Sequence, residues 1–212
     1  MITERLYQEY LNLLMDGKRV ACSRMVQTLI DQDIDIKTLY TDLFQKSLYE
    51  VGKLWEFNKI TVAKEHLVTA ITEGLLNLVY PKLFEKEVSE QNKKVVISCA
   101  ANEFHQIGGK MVADIFELNG WDCHFLGANT SVDHLLEHIQ EVNPDLVGLS
   151  ISVYFNFPAL KNGIEAVRAN FNHLDIFVGG QAFNWGGKEM LKNYSGTNFI
   201  PSLDVLSKVI AE

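Results

Sequence analysis

Long apolar runs are missing from this chain. No stretch approaches the ~20 residues of a membrane span. Glu4, Gln8 and Glu9 stand where a signal peptide would have its apolar core, so the N-terminus reads as an amphipathic helix. Positive charge is also scarce. Nineteen Lys and Arg face 27 Asp and Glu, a net charge of −8, which argues against the basic surface that nucleic acid requires. Cysteine is sparse: Cys22, Cys99 and Cys123 are too far apart for a Cys-x-x-Cys metal pair or a disulfide framework. Reduced thiols in a cytoplasmic protein are the simplest reading. Several catalytic and cofactor patterns are absent too. No Gly-x-Gly-x-x-Gly follows the first predicted strand, which speaks against a dinucleotide site. Gly186-Gly187-Lys188 lacks the upstream glycine and the following Ser or Thr of a phosphate loop. No Ser-His-Asp or Cys-His arrangement is placed by motif, and the chain is not read as an enzyme in its own right.

What is present divides into two patterns. Residues 1–85 are helical throughout. Leu6, Tyr10, Leu13 and Leu14 share one helical face. Cys22, Met25, Val26, Leu29 and Ile30 share a second, Phe44, Leu48, Val51 and Trp55 a third, and Leu67, Ile71, Leu75 and Val79 a fourth, with Thr61 as N-cap. Pro81 closes or kinks the last helix. Short connections at Asp16-Gly17, Asp31 to Asp35 and Phe57-Asn58-Lys59 predict an antiparallel four-helix bundle. Residues 86–93 are polar and aperiodic and read as a linker. From residue 94 to 212 strands alternate with helices. Strands are expected at 95–99, 121–126, 146–151, 176–178 and 199–200, and helices at 109–118, 132–142, 159–170, near Glu189 and from about Ser202. That alternation predicts an α/β domain: a doubly wound, parallel, five-stranded, Rossmann-like sheet, with its ligand beyond the C-terminal strand ends.

Four residue groups fall at those strand ends in a fixed spacing. Glu103-Phe104-His105-Gln106-Ile107-Gly108 follows the first strand. Forty-one residues later comes Ser150-Ile151-Ser152, and 26 more lead to Gly179-Gly180. Neutral imidazole is a good ligand for cobalt. Glu103, two residues from His105, can accept the ring's other N–H, fixing the tautomer and raising ligand basicity. Ser150, Ser152, Gly179 and Gly180 are small, so backbone can approach a ligand closely and hydroxyls can hydrogen-bond it.

This spacing resembles the cobalamin-binding fingerprint Asp-x-His-x-x-Gly, forty-one residues, Ser-x-Leu, about twenty-six residues, Gly-Gly. The resemblance implies that His105 displaces the cofactor's own dimethylbenzimidazole and ligates cobalt from below, base-off and His-on. Glu103, Phe104, Gln106, Ile107, Gly108, Ser150, Ser152, Gly179 and Gly180 would then contact the corrin and receive its nucleotide tail. Ser152 stands where the fingerprint has Leu, and Glu103 where it often has Asp.

A second constellation lies in the helical half. Trp55 is followed by nine residues and then Glu65-His66, which resembles the adenosylcobalamin-dependent photoreceptors that regulate carotenoid genes. That likeness implies a bundle capping the upper face of the corrin, with Trp55 on the adenosyl group, Glu65 bonded to its nucleoside and His66 beside it. A flat aromatic face suits adenine, and a carboxylate suits ribose hydroxyls. The alternative reading of Trp55 is core, continuing the third stripe. No winged-helix DNA-binding region is expected ahead of the bundle, and Glu56 stands where some photoreceptors carry a histidine. The expectation is therefore a sensor of light or cobalamin that acts through a separate regulator or self-association, without direct DNA or membrane binding. The alternative is a corrinoid carrier of methyl groups, holding methylcobalamin rather than adenosylcobalamin for a cobalamin-dependent methyltransferase system. His134 and His138, four apart on a predicted helix, have zinc-compatible spacing; with no third ligand in view they read as a solvated helix face.

Overall fold

The structure is a computed structural model that describes residues 1–85 and 90–210. These fall into two compact units, within Met1–Glu87 and within Val88–Glu212. Of the expected linker, residues 86–89 lie outside the described residues. Residues 91–93 already pair with the second unit: Gln91 N donates to the Gly120 carbonyl, and Asp122 N donates to that of Lys93.

The first unit is helical. Helices α1 (Glu4–Met15) and α2 (Arg19–Asp31) come first. Then α3 (Ile36–Leu39), a π-helical turn (Tyr40–Gln45) and α4 (Lys46–Glu56) run on without a break. The long α5 (Val62–Leu83) follows, carrying Pro81 inside its last turn. Thr3, Asp35 and Thr61 cap α1, α3 and α5, each side chain accepting a backbone N–H three residues on. The unit's core gathers Tyr10, Leu14, Cys22, Val26, Tyr40, Leu43, Phe44, Val51 and Val68. Each such large apolar side chain contributes roughly 1.5–3 kcal/mol of burial.

Two stripes read from the sequence depart in part from the buried face. In α4 the buried line runs through Phe44, Ser47 and Val51, and Trp55 is 50% exposed, so Trp55 is not core. In α5 Val68 is buried, whereas Leu67 is 42% exposed. Phe44 and Val51 keep the expected seven-residue period, and the stripe fails only at Trp55, the penultimate residue of α4, where the helix runs out into the exposed hairpin end at Phe57.

The second unit is a five-stranded parallel sheet in the order β2-β1-β3-β4-β5. The strands are β1 (Lys94–Cys99), β2 (Asp122–Phe125), β3 (Leu146–Ser150), β4 (Asp175–Gly179) and β5 (Thr197–Phe199). Helices α6 (Ile107–Glu117), α7 (Val132–Val142), α8 (Phe157–Asn170) and α9 (Leu203–Ile210) cover it. Alternate residues of the central strands face opposite helix pairs. Val96, Val147, Leu149, Ile176 and Val178 pack with Leu135 and Ile139 of α7 and Leu160 and Ile164 of α8. Helix α6 packs on β1, β2 and α9. Near-complete burial of β1 and β3 is what a parallel sheet covered on both faces produces. At the centre of β3 a Cβ on Gly148 would lie 2.4 Å from Ile97 Cδ1, so a larger residue there requires the end of the Ile97 side chain to move.

This strand order reverses between β1 and β3. The chain leaves β1 toward β2 on one side and returns to β3 on the other, so the loops after β1 and β3 diverge. Open α/β sheets place their ligands in the crevice at such a reversal.

Candidate functional site

Glu103 is the keystone of that crevice. It lies in the loop after β1 and is wholly buried (0% exposed). A buried carboxylate is costly unless its lone pairs are filled, and here the donors come from its own loop and from the loop after β3. Oε1 accepts from the backbone N–H of His105 at 3.0 Å and from His105 Nδ1 at 2.5 Å. Oε2 accepts from the backbone N–H groups of Ser152 (2.8 Å) and Val153 (3.1 Å) and from Asn156 Nδ2 (3.0 Å). One carboxylate therefore ties the loop after β1 to the loop after β3. Burial pushes its pKa up. The bonds from His105, Asn156 and the backbone N–H groups of His105 and Ser152 outweigh burial and hold it down to about 2.

An ionised carboxylate only accepts, so the proton of this short contact sits on His105 Nδ1. In the neutral ring this selects the tautomer with Nε2 as the lone-pair nitrogen. The imidazole is half-exposed, with 53% of its side chain accessible. A carboxylate-backed imidazole whose Nε2 carries the lone pair has the donor chemistry of a transition-metal ligand.

Asparagines hold the loop shape around this pair. Asn102 and Asn129 adopt left-handed φ of 63° and 53°. Asn129 Oδ1 accepts the Asn102 N–H at 2.9 Å, and the Asn129 N–H donates to the Glu103 carbonyl. Asn156 also donates to the Asn102 carbonyl.

The other fingerprint residues converge here. Ser150 ends β3, in register with Cys99 of β1 and Gly179 of β4. Ser152 lies in the loop that Glu103 holds. Gln106 precedes α6 and Ile107 begins it, buried. Gly108 is exposed, and a Cβ there would meet no atom within 4 Å, so the ground above the first turn of α6 is open. Gly180 is different. Its φ is +116°, and a Cβ would fall 1.9 Å from the Ile151 carbonyl oxygen. Its missing side chain lets the turn after β4 lie against the end of β3, backbone on backbone, a use of glycine other than the ligand contact expected from its size.

Exposed aromatic side chains ring the same edge. Phe104 (68% exposed), Phe155 (87%), Trp185 (62%) and Tyr154 all stand on loops after β1, β3 and β4. Several exposed aromatics on three neighbouring loops point to a flat apolar ligand or partner. Only Phe104 was singled out from the sequence. Tyr154, Phe155, Asn156 and Trp185 carry no motif that names them; their signal is position after a predicted strand.

Trp55, Glu65 and His66 belong to the helical unit. Trp55 is the penultimate residue of α4 and Glu65 lies in the first turn of α5, so both sit at the end of the hairpin that carries exposed Phe57 and Val62. Glu65 is committed within its own helix. Oε2 lies 2.6 Å from His66 Nδ1, and Oε1 accepts from Thr69 Oγ1 at 2.8 Å. Among the described residues no helix is long and apolar enough to cross a membrane.

Comparison with known proteins adds a consistent set of likenesses. A family model described as a B12 binding domain matches residues 93–200, and a second of the same description matches residues 6–80. Dimethylamine corrinoid protein 1 of Methanosarcina acetivorans is 23% identical over 186 residues, 85% of each chain. The HTH-type transcriptional repressor CarH of Myxococcus xanthus is 25% identical over 144 residues, 68% of this chain and 47% of its own. The solved monomethylamine corrinoid protein of Methanosarcina barkeri superposes with a TM-score of 0.84 over 99% of each chain at 12% identity, a likeness of fold.

Proposed function

The chain belongs to the B12-binding domain family, and from that premise we propose that it carries methyl groups on a bound cobalamin between separate methyltransferase proteins. Cobalamin, when bound, supplies a cobalt centre able to accept and release a methyl group. The protein's share is to hold that centre and set its lower ligand. His105 Nε2 is assigned to cobalt, with Nδ1 anchored on Glu103. The ionised carboxylate raises the basicity of the ring and aligns it. Ser150, Ser152 and the turn at Gly179-Gly180 would hold the nucleotide tail. Open ground at Gly108 and the exposed rings of Phe104, Tyr154 and Phe155 would contact the corrin, with Gln106 and Ile107 setting the start of α6 beside them.

The Glu103–His105 contact, made at the point where strand order reverses, carries the cobalamin assignment. The choice of carrier over sensor rests on the dimethylamine corrinoid likeness, which spans 85% of both chains, against 47% of the repressor's own length. The geometry of the helical unit agrees. A carrier must expose its methyl group to partners in turn, and Glu65, already held by His66 and Thr69, fulfils a helix role without a nucleoside. A cofactor-holding subunit of this kind is not a catalyst in its own right; its partners supply the methyl donor and acceptor sites.

Sensing through adenosylcobalamin is the second reading, favoured by one observation: half-exposed Trp55 at the same hairpin end as Glu65 and His66. The test measures the full chain's affinity for methylcobalamin and adenosylcobalamin, then methyl delivery with a methylamine:corrinoid methyltransferase. Carrier function requires methylcobalamin to bind at least as well and label from the donor to appear on the protein-bound cofactor. An adenosyl preference of tenfold or more that Trp55→Ala abolishes (about 1.4 kcal/mol, the size of one good aromatic stack) would establish the sensor instead.

A further inference from the structure

Two histidines outside the cobalamin site converge. His124 lies in the edge strand β2 and His138 in α7. Fourteen residues apart in sequence, they place His124 Nδ1 and His138 Nε2 3.3 Å from each other, with ring centroids 5.3 Å apart. Each ring also has a carboxylate near its remote nitrogen. His124 Nε2 is 3.6 Å from Asp122 Oδ1, and His138 Nδ1 is 3.8 Å from Glu141 Oε2. Both side chains are about one-third exposed, so solvent reaches the pair.

Two facing imidazole nitrogens have few good states. Both protonated, they repel. With complementary tautomers they share one N–H···N bond. A third arrangement replaces the shared proton by a metal ion. Two nitrogens each ~2.05 Å from one ion, at a tetrahedral angle, lie about 3.3 Å apart, which is the spacing seen. A carboxylate near the far nitrogen of each ring is the outer arrangement that histidine ligands use to fix tautomer and raise basicity. In sequence, His134 and His138 suggested zinc spacing on a helix. In the structure the partner of His138 comes from the neighbouring strand, and His134 Nδ1 turns to Glu137 at 3.1 Å.

We propose that His124 Nδ1 and His138 Nε2 chelate one divalent cation of the zinc class, with solvent or an external ligand completing its shell. Among the described residues no group of three or more His, Cys, Asp or Glu is arranged to hold a metal, so this is a two-histidine site. It binds reversibly and clips the edge strand β2 to α7.

The experiment titrates the full chain with zinc chloride by calorimetry, beside His124→Ala, His138→Ala, His138→Asn and His134→Ala, each checked for native circular dichroism. Wild type should take up a zinc ion that raises its thermal midpoint. Each His124 and His138 variant should bind about tenfold more weakly or worse and lose the midpoint rise, while His134→Ala stays within about twofold of wild type. Copper(II) at the same stoichiometry should show coupling to two imidazole nitrogens in its spin-resonance spectrum, reduced to one in His138→Asn. Zinc affinity unchanged in natively folded His124→Ala or His138→Asn would overturn the proposal. So would binding lost in His134→Ala but kept in His124→Ala, which would move the site to the helix pair. Zinc uptake by wild type with no change in thermal midpoint would overturn the clip.

Discussion

Replacing Glu103 by glutamine keeps the shape of the side chain and removes its charge. One oxygen becomes an NH2 group, and each of the two carboxylate oxygens faces N–H donors. Either orientation of the amide therefore sets a donor against donors. The size of the loss follows from linkage. The carboxyl moves from an ordinary 4.5 to about 2, some 2.5 units at about 1.36 kcal/mol each, or ~3 kcal/mol. A folded pKa below the unfolded one means that this stability is fully present above pH ~4.5. It drains away as pH falls toward 2. Wild type should exceed Glu103→Gln by about 3 kcal/mol at pH 7, and the gap should narrow steadily below pH 5. Because the chain has two units, a single global transition is a poor gauge. Amide exchange at Ser152 and Val153 reads the event locally. Both should exchange on the order of a hundredfold faster in the variant at pH 7. Unchanged exchange at these two amides, or a stability gap as wide at pH 3 as at pH 7, would refute the assignment of Glu103 as an ionised keystone.

Four further outcomes are expected. His105→Ala should leave the fold intact and return bound cobalamin to ligation by its own dimethylbenzimidazole, seen as a change in nitrogen coupling in spin resonance of the reduced cobalt form; coupling unaltered from wild type would remove His105 as ligand. Gly180→Ala, with its Cβ 1.9 Å from the Ile151 carbonyl at φ +116°, should destabilise the sheet unit by over ~1–3 kcal/mol, measured by denaturant melting in the absence of cofactor. Trp55→Ala should cost under ~1 kcal/mol and leave methylcobalamin affinity unchanged, whereas Phe44→Ala should cost ~3–5 kcal/mol, because only Phe44 is core. Burial lifts the Cys99 thiol to about 12 and also raises those of Cys22 and Cys123, so a thiol reagent should label the native chain at pH 8 only as fast as it opens.

The architecture was largely legible because periodicity is a strong signal where both faces of an element are decided by burial. The expected helix at 132–142 coincides with α7, and the five expected strands all form, in a doubly wound order. The gathering of His105, Ser150 and Gly179 at one sheet edge was legible through spacing, since all three terminate or follow strands. Other features depended on what period alone does not carry. The third stripe holds at Phe44 and Val51 but not at Trp55, which lies at the exposed end of α4 and is half-exposed, because period alone does not say where the packing surface ends. Asn156 gives no sequence signal for its bond to Glu103, because its partner lies 53 residues away in the chain. His124 and His138 likewise come from different elements, and pattern reading along one helix paired His138 with His134.

The position of Glu103 also constrains how this protein can diverge. The carboxylate that would tune the cobalt ligand is the same one that closes the loop after β3. Stability and ligand strength therefore share one adjustable part and cannot drift independently. Shortening it to the aspartate common in the fingerprint would draw Ser152 and Val153 closer to β1 or leave their N–H groups unanswered. Such a change requires compensating moves in the loop that holds Asn156. Lineages should therefore exchange this acid together with its loop, as one inherited block, rather than residue by residue.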